Sequence, residues 1–142
     1  MSPDETAAVV HAGFAAITAQ DLQGWLERQH PDIEIRSRVV HAAAGDDWFH
    51  GYTGAREWWE AMAGTYDQTE LTGESVVVDG DRAVITVRAR FVVGGEAVEH
   101  VAYQAARFEG RRFRIWARYD SEDEAYAAAG MSPGAGVHVA DR

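Results

Sequence analysis

Three polar side chains, His100, Gln104 and Tyr119, fall on one otherwise apolar strand face, and there this sequence could do chemistry. An imidazole with an unperturbed pKa of about 6.5 transfers protons near neutrality. A phenol hydroxyl opposite it can donate to a developing oxyanion, and a primary amide can hold a carbonyl. Asp120, at the strand end, is placed to orient one of these groups. Proton abstraction beside a carbonyl is the reaction such a set would serve. Burial of His100 among Val87, Phe91 and Phe113 would favour the neutral imidazole, the form able to take a proton. The competing expectation is that His100, Gln104 and Tyr119 satisfy one another inside a partly polar core. His41, His50 and Tyr52 are expected around the opening, with Trp48, Trp59, Phe91, Phe113 and Ile115 as walls for a substrate. No metal is expected, because the histidines lack paired ligand spacing and inward carboxylates are few. No cofactor is expected either.

What must position these residues is a pair of hairpins between about Ile85 and Asp120. Taking Glu109-Gly110 as a two-residue loop sets Phe108 opposite Arg111. Gln104 then meets Ile115, Ala102 meets Ala117, and His100 meets Tyr119. Taking Gly94-Gly95 as the preceding loop pairs Phe91 with Val98, Ala89 with His100, Val87 with Ala102, and Ile85 with Gln104. Opposed residues share a face. Both turns therefore predict one inward face that includes Ile85, Val87, Phe91, Phe113, Ile115 and Ala117. The other face carries Arg88, Arg90, Glu99, Tyr103, Arg107, Arg112, Arg114, Trp116 and Arg118. Arginine, tyrosine and tryptophan are common interface anchors, so this face is expected to form a homodimer contact.

The rest of the chain reads as support. Ser2-Pro3-Asp4-Glu5 is a helix start with a capping box, followed by Val10, Phe14 and Ile17 at helical spacing. Asp21 caps a short helix through Trp25 and Leu26, closed off by Pro31. Ile33 to Val40 alternates as a strand, Ala42 to Gly51 reads as a loop, and Thr53-Gly54 opens a third helix carrying Trp58, Trp59 and Met62. Leu71 to Val78 is a strand whose inward side the turn at Asp79-Gly80-Asp81 leaves undecided. Ser121-Glu122-Asp123-Glu124 caps a last helix to about Ala129, which Gly130 ends. Residues 1–130 thus read as a single domain, and the Gly-rich 131–142 as a mobile tail.

Composition narrows the partners. The net charge of −10 argues against nucleic acid. All 13 basic residues are arginine, favouring planar, bidentate contacts. Absence of cysteine excludes disulfides and thiolate chemistry. No apolar run approaches the ~18 residues of a membrane span, and an acidic helix opens the chain, so a cytoplasmic address is expected.

The order of elements, together with Gln20-Asp21-Leu22, Gly51-Tyr52-x-Gly54 and Gly110-x5-Trp116-x3-Asp120, resembles the nuclear-transport-factor-two-like superfamily. Within it the chain looks most like the SnoaL-like proteins. The resemblance runs from Asp4 to Gly130. It implies a cone-shaped α+β barrel, a curved, mostly antiparallel sheet wrapped on three helices of the N-terminal half, around an apolar cavity. It also implies a dimer. It leads to the expectation of a cofactor-independent cyclase or isomerase acting on an apolar, polyketide-like carbonyl compound. A non-catalytic binder of an apolar ligand, or an interaction module with a closed core, stands as the alternative. The family's known catalytic positions do not transfer. Ketosteroid-isomerase roles fall on Gly13, Ser37 and Gln104, and the Trp-Asp pair typical of SnoaL-like cyclases is Trp116-Ala117 here. Limonene-type epoxide hydrolases need an inward Asp-Arg-Asp set, which the expected faces do not supply.

Overall fold

A computed structural model of the chain describes residues 1–38 and 47–139. Helix α1, Pro3–Thr18, starts at the expected capping box: Ser2 Oγ accepts from the Glu5 amide at 3.1 Å, and Glu5 Oε1 accepts from the Ser2 amide at 2.9 Å. Its Val10, Phe14 and Ile17 are buried. Asp21 caps the short α2, Leu22–Leu26, whose Trp25 and Leu26 turn inward. Glu27 rather than Pro31 marks its end. Pro31 instead sits in β1, Gln29–Arg36, within the stretch where pairing to the neighbouring strand is irregular, the place a sheet tolerates proline.

Within the stretch expected as a loop, β2, Trp48–His50, pairs antiparallel with the end of β1. Helix α3 runs Gly51–Thr65, with Trp58 3% exposed. Strands β3, Gln68–Asp79, β4, Arg82–Val93, β5, Glu96–Glu109, and β6, Arg112–Tyr119, follow. On β3 the inward residues are Val76 and Val78, with Val77 on the other side under α4, Glu122–Ala129. Ser121 caps α4, and Gly130 closes it in a left-handed conformation. The tail is not featureless. Met131 is buried, and Val137–Val139 forms β7 against β3.

The sheet order is β2-β1-β6-β5-β4-β3-β7, antiparallel except for β1 with β6. It curves without closing, which makes the α+β cone. Its concave side packs on α1, α2 and α3 in one apolar core, and α4 covers part of the convex side with Tyr126, Ala125, Tyr103 and Tyr119.

The β4–β5 register is the expected one, with Ala89 opposite His100 and Ile85 opposite Gln104. The β5–β6 register is different. The turn is Gly110-Arg111, both at positive φ, so Glu109 faces Arg112 and Phe108 faces Phe113. Pairing then shifts: Phe108 meets Phe113, but Arg107 meets Ile115, leaving Arg114 as the extra residue of a β-bulge. Beyond the bulge every β6 side chain changes face. Trp116 turns into the core, while Ala117 pairs with Ala105 and Tyr119 with Tyr103 on the convex side. The expected pairs His100 with Tyr119 and Gln104 with Ile115 are therefore not formed.

Candidate functional site

A cavity of 230 Å³ lies between the concave sheet and α3. Its sheet wall is Val87, Ala89 and Phe91 from β4 with Ala102 from β5, and its helix wall is Trp58, Met62 and Tyr66. Alternation along β5 brings His100, Ala102 and Gln104 to the same side. Tyr66 stacks on Phe91 at 4.3 Å, and Phe91 meets the His100 ring edge-on at 5.3 Å. His100 itself is exposed at the mouth, not buried as expected. The reason is its place toward the Gly94-Gly95 turn of the β4–β5 hairpin, where Val93 and Val98 are also exposed.

Gln104 lies deeper, 5% exposed. Its Oε1 accepts from Trp116 Nε1 at 2.6 Å. Because an indole N–H only donates, this contact fixes the amide's orientation and leaves the NH₂ side for the cavity. Among the described residues nothing accepts from that NH₂ group. Trp58 Nε1 is buried without a partner among the described residues.

The remaining polar lining is Arg118 with Arg36, Ser37 and Arg38. Arg36 Nη1 donates to the Arg118 carbonyl at 2.7 Å, which ties the end of β1 to the end of β6. Arg118 pairs with Asp120 at 3.3 Å, and Arg36 and Arg38 share Asp47 at 3.8 and 3.5 Å. No aspartate or glutamate lines the cavity among the described residues. A second cavity of 350 Å³, bounded by Ile17, Gln20, Trp59 and Asp67, shares Trp58, Met62 and Tyr66 with the first.

The sequence-predicted residues thus divide. His100, Gln104 and Phe91 meet in the cavity. Tyr119 is on the convex side, where the Arg36 guanidinium lies 4.6 Å over its ring, and Asp120 is exposed and holds Arg118 rather than His100. Ile115 and Trp48 line a shallow convex groove beside α4. Phe113 is sealed in the core against Phe108 at 4.8 Å. Tyr52 donates to the Gln29 carbonyl at 3.1 Å, and His50 lies 3.7 Å from Glu34, so both serve the β1 side. Trp59 packs on Trp25 and lines the second cavity. His41 lies outside the described residues.

The Arg-rich face also changes. Trp116 and Arg118, two of its expected anchors, face inward, and Tyr103 packs toward α4. The missed site residues are Arg36, Arg38, Arg118, Trp116 and Trp58. A signal existed for Trp116 and Arg118, the two that the bulge turns inward. Phe113 and Trp116, the bulkiest apolar residues of β6, cannot both face inward on a regular strand, so burying both requires an inserted residue.

An open cone of sheet around three helices, with a small cavity in its mouth, defines a class of small α+β domains. Residues 10–129 match the SnoaL-like domain, and the chain belongs to that family. No curated protein matches it. Among solved structures it is similar to TerC co-crystallised with polyporic acid, at 15% identity over 89% of this chain and 98% of that one, TM-score 0.72. An NTF2-like protein of unknown function from Burkholderia pseudomallei shares 19% identity over 89% and 97%, TM-score 0.72. An LEH-like epoxide hydrolase of M. tuberculosis shares 14% identity over 89% and 90%, TM-score 0.69. At these identities the likeness is one of fold.

Proposed function

We propose that the chain processes a small apolar carbonyl compound in the cone cavity, as a cofactor-independent cyclase or isomerase. The observation that carries this reading is that His100 and Gln104 line one largely apolar cavity. The neutral His100 imidazole removes a proton from the carbon beside the carbonyl. The electron pair moves onto the carbonyl oxygen, which accepts a hydrogen bond from the Gln104 amide. Where a double bond adjoins that carbon, the resulting dienolate takes the proton back at the far end of the double bond, an isomerisation; otherwise the enolate attacks a second carbonyl within the same molecule, a cyclisation. In the second case the new alkoxide takes the proton from the imidazolium. The apolar wall folds the substrate and limits water. Tyr119 and Asp120 have no part in this scheme, because neither faces the reacting atoms.

The second reading is passive binding of an apolar ligand. One observation favours it: His100 is exposed, and no carboxylate lines the cavity among the described residues to orient its ring.

Proton exchange separates the two. Enolisable diketones and aryl ketones in D₂O, followed by NMR, should lose their α-protons faster with the protein than in buffer. His100→Ala, checked for folding by thermal melting, should lower that excess rate at least about tenfold. Polyporic acid, the molecule crystallised with TerC, is a useful additional ligand for tryptophan-fluorescence titration. Quenching without catalysed exchange across the ketone panel would replace catalysis by binding.

A further inference from the structure

Resting on the cavity assigned above, we propose a narrower class of ligand: an acidic one, with an apolar body and a single carboxylate, the head group held by Arg118 and Arg38. The argument begins with charge. The chain carries a net −10, yet the charged side chains lining the cavity are all arginine among the described residues. Such local reversal of sign focuses a field on anions. Next comes neutralisation. Among the described residues three guanidiniums pair with two carboxylates, Asp47 serving both Arg36 and Arg38 and Asp120 serving Arg118. Glu124 borders the same arginines in a narrow adjoining cleft, but its Oε1 accepts from Ser121 Oγ, and no ion pair joins it to them. Among the described residues about one positive charge is left over, which matches a monoanion better than a phosphate.

Shape and hydrogen bonding point the same way. Guanidinium and carboxylate are complementary in plane and spacing, so arginine is the residue suited to such a head group. Gln104 presents its NH₂ side, because Trp116 occupies its oxygen. The hydrogen-bonding wall of the cavity is therefore richer in donors, with His100, Ser37 and the Tyr66 hydroxyl as the side-chain groups able to accept. A ligand rich in oxygen acceptors at one end and apolar at the other fits this distribution. A cationic or donor-rich ligand would face arginines on the rim and an amide donor on the wall.

The test compares 2-naphthoate with methyl 2-naphthoate by isothermal titration calorimetry at moderate salt. The two share the ring body and a carbonyl oxygen, and differ in charge. The acid should bind about tenfold more tightly than the ester, the scale of one charge-assisted contact. Arg118→Gln or Arg38→Gln should bring the two ligands level, whereas Arg88→Gln, on the convex face and paired with Glu74, should leave the preference intact. Thermal melting checks that each variant is folded. Equal binding of acid and ester would overturn the charge assignment while leaving the cavity as a ligand site. An acid preference that survives both rim variants would overturn the role of these arginines. Binding of neither compound would overturn this assignment and the cavity reading together.

Discussion

The two hairpins that share β5 are built by different rules. From Arg82 opposite Arg107 to Val93 opposite Glu96, β4 and β5 pair without interruption. Their loop is Gly94-Gly95, both at positive φ, as a tight two-residue hairpin requires. Between β5 and β6 the loop holds one glycine and one arginine, and the ladder breaks almost at once, at Arg114. The regular hairpin supplies the apolar wall and the row His100, Ala102, Gln104. The bulged one re-aims β6 so that Trp116 and Arg118 reach that row from the next strand. Regular alternation makes a surface here, and the single irregularity furnishes it with a fixed donor and a charge. A bulge also bends the strand that carries it, which suits a sheet curved around helices.

Emptying the place that the irregularity fills should have the largest effect. Trp116→Ala leaves a void among Phe14, Trp25, Trp58 and Phe113, whose rings lie 5.0–6.4 Å from the indole. Truncating one large buried aromatic costs about 3–5 kcal/mol, a large part of the 5–15 kcal/mol typical of a domain. The expected outcome is loss of a cooperative melt, or a fall in Tm of roughly 10 °C or more. Ile115→Ala, at the neighbouring position that the bulge turns to the convex groove, should cost less. If the two variants melt alike, the bulge is not what orients β6.

Trp116→Phe is gentler and separates packing from the hydrogen bond. The ring contacts with Trp58 at 5.0 Å and Phe113 at 6.3 Å survive in kind, but Gln104 Oε1 loses its donor. An unsatisfied buried acceptor costs about 1–3 kcal/mol, measurable by urea denaturation. The freed amide could also flip and present its oxygen to the cavity. Were Trp116 on the convex face, the same change would cost less than about 0.5 kcal/mol, as surface substitutions do.

The contrast between hairpins also explains what was legible beforehand. The fold class followed from features that act locally: the capping boxes at Ser2 and Ser121, the apolar stripe of α1, and the Gly-Gly turn. Each depends on a few neighbouring residues, so sequence exposes it. The face of Trp116 depended on a non-local sum. It required a positive φ at Arg111, unusual for a residue with a Cβ, and one unpaired residue at Arg114, neither of which composition marks. An error of one residue then exchanged Tyr119 for Arg118 in the cavity. His100 and Gln104 were legible because they sit on the hairpin that keeps its alternation. The contributions of Arg36 and Arg38 came from pairing β1 parallel to β6, a contact between distant segments with no turn to announce it.

Because the bulge turns Tyr119 outward, the convex side gains a small aromatic cluster with Tyr103 and Tyr126 under α4. Burial raises the Tyr126 pKa above its ordinary 10.0, and the nearby Glu122 charge adds to the rise. The sign follows from which state holds the proton. Folded Tyr126 keeps its proton while unfolded Tyr126 ionises near pH 10. Its contribution is complete below that pH and is lost as pH rises through the folded value. Melting temperatures between pH 8.5 and 11 should fall more steeply for the wild type than for Tyr126→Phe. Parallel profiles would mean that α4 docks without burying the hydroxyl.

The smallest effect concerns the two loops directly. Arg111 adopts φ +64, a left-handed conformation that costs a residue with a Cβ about 1–2 kcal/mol, whereas Gly95 holds the equivalent place of the regular hairpin without that cost. Arg111→Gly should relieve the strain, offset in part by the greater freedom of glycine in the unfolded chain, about 0.5–1 kcal/mol. It also removes the Arg111–Glu5 ion pair at 2.9 Å, whose arginine is 73% exposed and which is therefore worth little. The net is a stabilisation of about 0.5 kcal/mol, read as a shift in denaturation midpoint with an unchanged slope. Glu5→Gln, which removes the same ion pair without touching the backbone, provides the control. A destabilised Arg111→Gly beside a neutral Glu5→Gln would mean that the second hairpin depends on its arginine, and that its turn is not merely a strained copy of the first.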